Sequence, residues 1–199
     1  YTIAASAQYP GYLAVTEDVT VDALDTTHDI AVPVDTQACV APGYAINSSG
    51  GTEGFDGGAL PAGWSIDDNL GNGEVWVFDD PGDRGNLTGG EGPFAIIDSD
   101  NYGSDTQQDS SLVSPAYDLS AVSSPAVSFA QDYNNLGDVA DVDVSVDGGS
   151  TWETVLHQTT DLRGPRTETV PLPQAANQAD VRIRFHYYEA EFAWWWEVD

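Results

Sequence analysis

The sequence predicts an all-β protein. Short segments that alternate apolar and polar residues, or that are rich in β-branched ones, recur every eight to fifteen residues, with clusters of Gly, Pro, Asn and Asp between them. No segment keeps a helical period over three turns. The 199 residues suit one large or two modest domains, long enough to bury about two-thirds of the unfolded surface without disulfide staples.

In order, "YTIAASAQYPGYLAVTEDVTVDALDTTHDIAVPV" offers about three strands, around Ile3, Val15 to Val21 and His28 to Val34. Pro10-Gly11 and the Asp22 to Asp25 stretch supply the turns between them. Three strands are too few for a sandwich of the usual seven or so, so residues 1–36 read as part of a module. Residues 37–52, "QACVAPGYAINSSGGT", are small, polar and glycine-rich, which suits a linker. From 53 to 199 a second domain follows, with strands expected at Trp64–Ile66, Val75–Phe78, Phe94–Ile97, Ala126–Gln131, Asp141–Val146, Trp152–His157, Glu168–Leu172, Val181–Tyr188 and Phe192–Val198. That number of short strands in so short a stretch fits a two-sheet sandwich of jelly-roll type.

Charge bounds the partners. There are 33 acidic residues against five arginines and no lysine, a formal net charge of −28, which excludes nucleic acid as a partner. Repulsion on that scale destabilises the compact state unless cations offset it, either bound divalent ions or a salty medium that screens over a Debye length. Both point to cation-rich extracellular fluid. Cys39 is the sole cysteine, so no internal disulfide forms. No apolar run reaches the length of a membrane span, and "YTIAASAQYPGY" lacks the charged flank and apolar core of an export signal, which would then lie upstream.

Two resemblances sharpen the reading. Tyr1, Ile3, Ala5, Ala7, Gly11 and Tyr12 resemble the "Y-x-(I/V)-x-A-x-A-x-G-Y" strand-turn of carboxypeptidase regulatory-like domains, small Ig-like modules, with one extra residue before the Pro-Gly turn. Residues 53–199 resemble the MAM-like jelly rolls known as choice-of-anchor J or cleaved-adhesin domains, found in gingipain adhesin regions. The resemblance is carried by "GFDGGALPAGWSI", "AIIDSD", "SSLVSPAYDLS", "VSFAQDY", "VDVSVDGGSTWETV" and the closing "FAWWWEVD". It implies a further strand at "L-x-S-P-x-(Y/I)-D-L-S". The family continues past the closing motif with a second acid and an aliphatic residue, so the last strand is expected to run on beyond Asp199.

Ser145, Asp147, Gly149, Thr151 and Trp152 fill every position of the S-x-D-x-G-x-T-W Asp box. In that pattern the aspartate bonds turn amides, glycine supplies positive φ and tryptophan packs under the hairpin, so its role is architectural. For a metal, the resemblance to MAM-like jelly rolls, where acids at the two ends of the domain share Ca²⁺, implies Asp56, Asp98, Asp100 and Asp199 as ligands of a structural calcium ion. "DSDNYG" is not an EF-hand loop, because Tyr102 stands at position five and no glutamate stands at position twelve. The loops from Asp67 and Asp79 read as solvated turns.

In "VRIRFHYYEA", alternation puts Arg182, Arg184, His186 and Tyr188 on one face. They are either a site for an acidic glycan or peptide carboxylate or cross-strand partners of neighbouring acids. In "FAWWWEVD", Phe192, Trp194 and Trp196 share one face and Trp195 the other; Trp195 is then either core or a stacking platform for sugar rings. Asn47 and Asn86 open N-x-S/T sequons in loops, sites for glycosylation in an organism that performs it. His28, His157 and His186 lie in expected strands without a nucleophile elbow or metal spacing, so no catalytic residue is assigned. The expected function is a non-catalytic, calcium-stabilised adhesion or accessory-binding fragment of a larger secreted or surface protein, contacting neighbouring domains or subunits, a glycan or a cell-surface protein. The alternatives are a structural subunit of an extracellular filament or layer and a carbohydrate-binding module of a secreted hydrolase.

Overall fold

A computed structural model describes residues 1–6, 12–20, 27–33, 51–104 and 106–199. The Pro10-Gly11 and Asp22–Asp25 turns, Cys39, Asn47 and most of the 37–52 stretch lie outside the described residues. The chain divides into two units, Tyr1–Asn47 and Ser48–Asp199.

In the first unit, β1 (Thr2–Ala5) pairs antiparallel with β2 (Val15–Asp18), Thr2 opposite Asp18 and Ala5 opposite Val15. Thr2 Oγ1 donates to Asp18 across the pair at 2.6 Å. Residues 28–33 do not form the strand expected from His28 to Val34. Pro33 has no N–H to give a ladder, and its carbonyl takes a single bond from the Leu13 amide at 2.8 Å.

The second unit is a two-sheet antiparallel sandwich. One sheet has the order β3 (Ser65–Asp68), β5 (Gln108–Val113), β10 (Arg182–Ala190), β7 (Val139–Ser145), β8 (Glu153–Gln158). The other has the order β4 (Ala95–Asp98), β11 (Trp195–Val198), β6 (Ala126–Asn134), β9 (Leu162–Pro171). A one-turn helix, α1 (Ser99–Tyr102), follows β4 and is capped by the Asp98 side chain on the Asn101 amide.

The alternation read in β10 is realised: Ile183, Phe185 and Tyr187 are buried and Arg182, Arg184 and His186 half-exposed. The inward rows meet ring to ring, Phe185 lying edge-on to Phe129 at 5.1 Å and to Trp196 at 5.8 Å. Phe55, at φ 53°, closes one end of this core against Trp64 and Phe78.

Four expectations change. β5 is absent from the strands read by alternation, because "QDSSLV" looks polar. Its serines are nevertheless buried, and Ser110 Oγ donates to the Asp67 carbonyl at 3.0 Å. The resemblance placed a strand from Leu112 onward; the continuous strand ends at Val113, and the segment then follows the start of β10 through the Ser114 amide on Ile183 and a bridge from Tyr117 to Val181. Val75–Phe78 is no strand beyond a single bridge from Val77 to Ile96; its apolar character reflects Trp76, wholly buried against Trp196 at 5.3 Å. The last strand starts at Trp195 rather than Phe192, since Phe192 adopts φ 49° and turns the chain. Phe192, Trp194 and Trp196 therefore do not share a face: Phe192 is exposed, Trp194 packs outside the four-stranded sheet and Trp196 lies between the sheets.

Candidate functional site

The outer face of the four-stranded sheet is roofed by residues 79–92. Their own acids shape the segment: Asp80 accepts from the amides of Arg84 at 2.9 Å and Gly85 at 2.8 Å, closing a tight loop. Arg84 then reaches across to Asp98, with Nε at 2.8 Å and Nη2 at 3.2 Å, and to Asp100 at 2.6 Å. The Leu87 amide donates to Glu197 Oε2 at 2.8 Å, and a Cβ on Gly164 of β9 would collide with the Leu87 carbonyl. The segment thus crosses the sheet from β4 over β11 to β9.

Beneath it lie carboxylates with no exposed surface. Asp132 accepts from Arg163 Nε at 2.7 Å and Nη2 at 3.0 Å, from the Gly164 amide at 2.6 Å and from Trp195 Nε1 at 3.0 Å. Glu197 has one oxygen on Leu87 and the other, Oε1, without a partner among the described residues. Burial pushes the Glu197 carboxyl up to about 8, against the Leu87 amide, which holds it down, and with the charge of Asp132 adding to the rise.

The four acids expected to share calcium do not meet in one set. Asp98 and Asp100 are held by Arg84. Asp56 and Asp199 instead converge around glycine backbone. A Cβ on Gly54 would lie 3.5 Å from Asp199 Oδ1 and 3.7 Å from Asp56 Oδ2, and one on Gly90 would overlap Asp199 Oδ2. Asn86 Nδ2 donates to Asp199 Oδ2 at 3.1 Å, which also gives the sequon asparagine a second partner besides the Gly92 carbonyl. Among the described residues no three His, Cys, Asp or Glu side chains form a metal-holding group. Two carboxylates over a cradle kept open by missing side chains nevertheless suit a hard cation that takes its remaining oxygens from loop backbone and water.

Trp195, considered as a stacking platform, is only 8% exposed. Two guanidinium groups already lie over its ring, Arg84 at 4.4 Å and Arg163 at 5.2 Å, so the indole is engaged within the fold. Sequence could not show this, because both arginines come from loops or strands remote in the chain.

On the outer face of the five-stranded sheet, Arg184 Nε donates to Asp143 at 2.8 Å and its guanidinium covers Trp152 at 4.6 Å. His186 Nε2 pairs with Asp109 at 2.7 Å and stacks on Tyr188 at 4.5 Å. Asp141 joins Tyr188 OH at 3.0 Å to His157 Nδ1 at 2.7 Å. Asp109, Asp141 and Asp143 were not singled out by sequence, although the alternation of β7 places two of them on this face. At the Asp-box turn, Asp147 accepts from the Thr151 hydroxyl at 2.6 Å, the Thr151 amide at 2.9 Å and Ser145 Oγ at 2.7 Å, and Gly148 and Gly149 adopt positive φ. The bonds from Thr151 hold its carboxyl down at about 2. The loop from Asp67 closes similarly: Asp68 takes the amides of Gly73, Gly71 and Asn72, which lower its pKa.

No protein-family model matches the chain, and no curated protein matches it. Solved structures do. The K1 cleaved adhesin domain of Lys-gingipain from Porphyromonas gingivalis W83 is similar at 20% identity and a TM-score of 0.51, covering 74% of this chain and 92% of that one. The K3 domain gives 21% and 0.52 over 74% and 93%, and the K2 domain 18% and 0.52 over 74% and 94%. Most of this chain therefore has the all-β fold of a cleaved adhesin domain.

Proposed function

We propose that this chain is a non-catalytic adhesion or accessory-binding part of a larger secreted or surface protein, with a MAM-like jelly roll stabilised by calcium between Asp56 and Asp199. The observation that carries the binding role is the likeness of the sandwich to adhesin domains across more than nine-tenths of their length. Its extracellular setting is supported by the acid excess, which demands cations. In the described residues no helix is long and apolar enough to cross a membrane.

Calcium draws its support from two carboxylates, from opposite ends of the domain sequence, converging on Gly54 and Gly90. Bound there, the ion would supply opposite charge to both and tie the first loop of the domain to the end of its last strand. Thermal melts in chelator, in millimolar Ca²⁺ and in molar KCl test this. A Ca²⁺-specific rise in midpoint supports the reading. Equal stabilisation by KCl alone refutes the ion site and makes the acidity a salt adaptation. For the binding role, the test is retention on immobilised glycans and cell-surface proteins; none on any of them would refute it.

A further inference from the structure

Arg182 stands apart from the other arginines. Arg84, Arg163, Arg166 and Arg184 each form an ion pair with a carboxylate. Among the described residues Arg182 has no such partner, in a chain with 33 acids and five arginines. Its Nε–H is also closed off from solvent without an acceptor. Nothing in the described fold accounts for this cation.

Its surroundings explain why it stays unpaired. Arg182 opens β10 opposite Ser145 of β7, beside the Asp-box turn. The acid of that turn, Asp147, is taken up by Ser145 and Thr151. Asp143 is taken up by Arg184 and Thr154. Asp180 points at Gly148, where a Cβ would lie 2.7 Å from its Oδ2. An indole is near instead: a Cβ on Gly149 would lie 3.5 Å from Trp152 Cζ2 and 3.6 Å from Arg182 Cδ. A guanidinium without a carboxylate partner thus sits near a half-exposed indole, part of whose ring Arg184 already covers at 4.6 Å.

We propose that Arg182 and Trp152 anchor an acidic saccharide, with the guanidinium on a sugar carboxylate and the apolar face of a ring against the exposed part of the indole. The proposal rests on the binding-module reading above and names the ligand class. Arginine's planar fork matches a carboxylate with two parallel bonds. The face favours sugar over peptide, because β10 is paired on both sides, to β5 and β7, and has no backbone groups left for a peptide's amides. On β10 side chains are what is offered, and hydroxyls around a sugar ring are met by side chains. The net charge of −28 further selects a glycan with isolated carboxylates among neutral sugars, since a polyanion would be repelled.

The test is calorimetric titration of the whole chain, in physiological salt, with a neutral-core trisaccharide ending in glucuronic acid, with its methyl ester and with a tripeptide ending in a free carboxylate. The acid is expected to bind at least tenfold more tightly than the ester, and Arg182→Gln to remove that tenfold while leaving the melting midpoint unchanged, because no internal partner is lost. Equal binding of acid and ester, binding that survives Arg182→Gln, or no binding of the acid overturns the proposal. A tripeptide that binds through Arg182 more tightly than the sugar overturns the saccharide assignment. If the wild type ignores the acid but is retained by other glycans or proteins, the adhesin reading stands and only this site falls; if nothing retains it, both fall.

Discussion

Trp195 Nε1 donates to Asp132 Oδ2 at 3.0 Å, joining the first residue of β11 to a carboxylate with no exposed surface on β6. The bond fixes what the tryptophan is for. Trp195→Phe keeps an aromatic ring against Arg84 and Arg163 but removes one donor from Asp132, and should cost about 1–3 kcal/mol. Trp195→Ala also leaves a hole under the roof and should cost about 3–5 kcal/mol. Urea denaturation measures both. Loss of glycan retention in Trp195→Ala with unchanged stability would contradict this assignment.

The separation of the four acids predicts opposite responses to calcium. Asp199→Asn or Asp56→Asn should abolish the Ca²⁺-specific rise in midpoint, and Gly90→Ala should do the same by pushing the Asp199 carboxylate aside. Asp98→Asn should lower the midpoint by the same amount in chelator and in Ca²⁺, because it weakens the bond to Arg84 and leaves the proposed ion site alone. Melts of each variant in both media decide it.

Acid should unfold the Asp-box turn through Asp147. Its carboxyl is held at about 2 against an ordinary value of 3.8, so its ionised form is favoured by folding. That contribution is full above pH 4 or so, declines as pH falls toward 2 and is absent below. Asp147→Asn should flatten the fall in urea midpoint over this window. An unaltered slope would show that the Thr151 bonds do not survive in solution.

Two arginines on one strand face should part ways. Arg184→Gln removes the cationic partner of buried Asp143, which keeps Thr154 Oγ1 at 2.6 Å, and should cost about 2–3 kcal/mol. Arg182→Gln should cost close to nothing. Equal losses in chemical denaturation would mean that Arg182 has an internal role after all.

Much of the sandwich is legible in the chain because burial there is local and periodic. β10 alternates cleanly, and the Asp box marks the hairpin between β7 and β8 residue by residue. β5 escapes because its buried side chains include serines satisfied by bonds that only the folded sheet provides. The closing tryptophans mislead for a different reason. A single positive φ at Phe192 resets the alternation, and nothing in the identity of a phenylalanine announces it. Site chemistry was harder still. Asp56 and Asp199 are far apart in sequence, and what claims Asp98 is an arginine from a loop that reads as a solvated turn.

The roof over β4, β11, β6 and β9 makes the domain one-sided. A partner approaching that broad surface meets a loop already bonded to its own sheet, whereas the opposite surface displays side chains. Chemical coupling through the roofed side should therefore leave the binding proposed at Arg182 intact, and coupling through the other side should silence it. Copies fixed at random would work at a fraction of the capacity of copies fixed in one orientation.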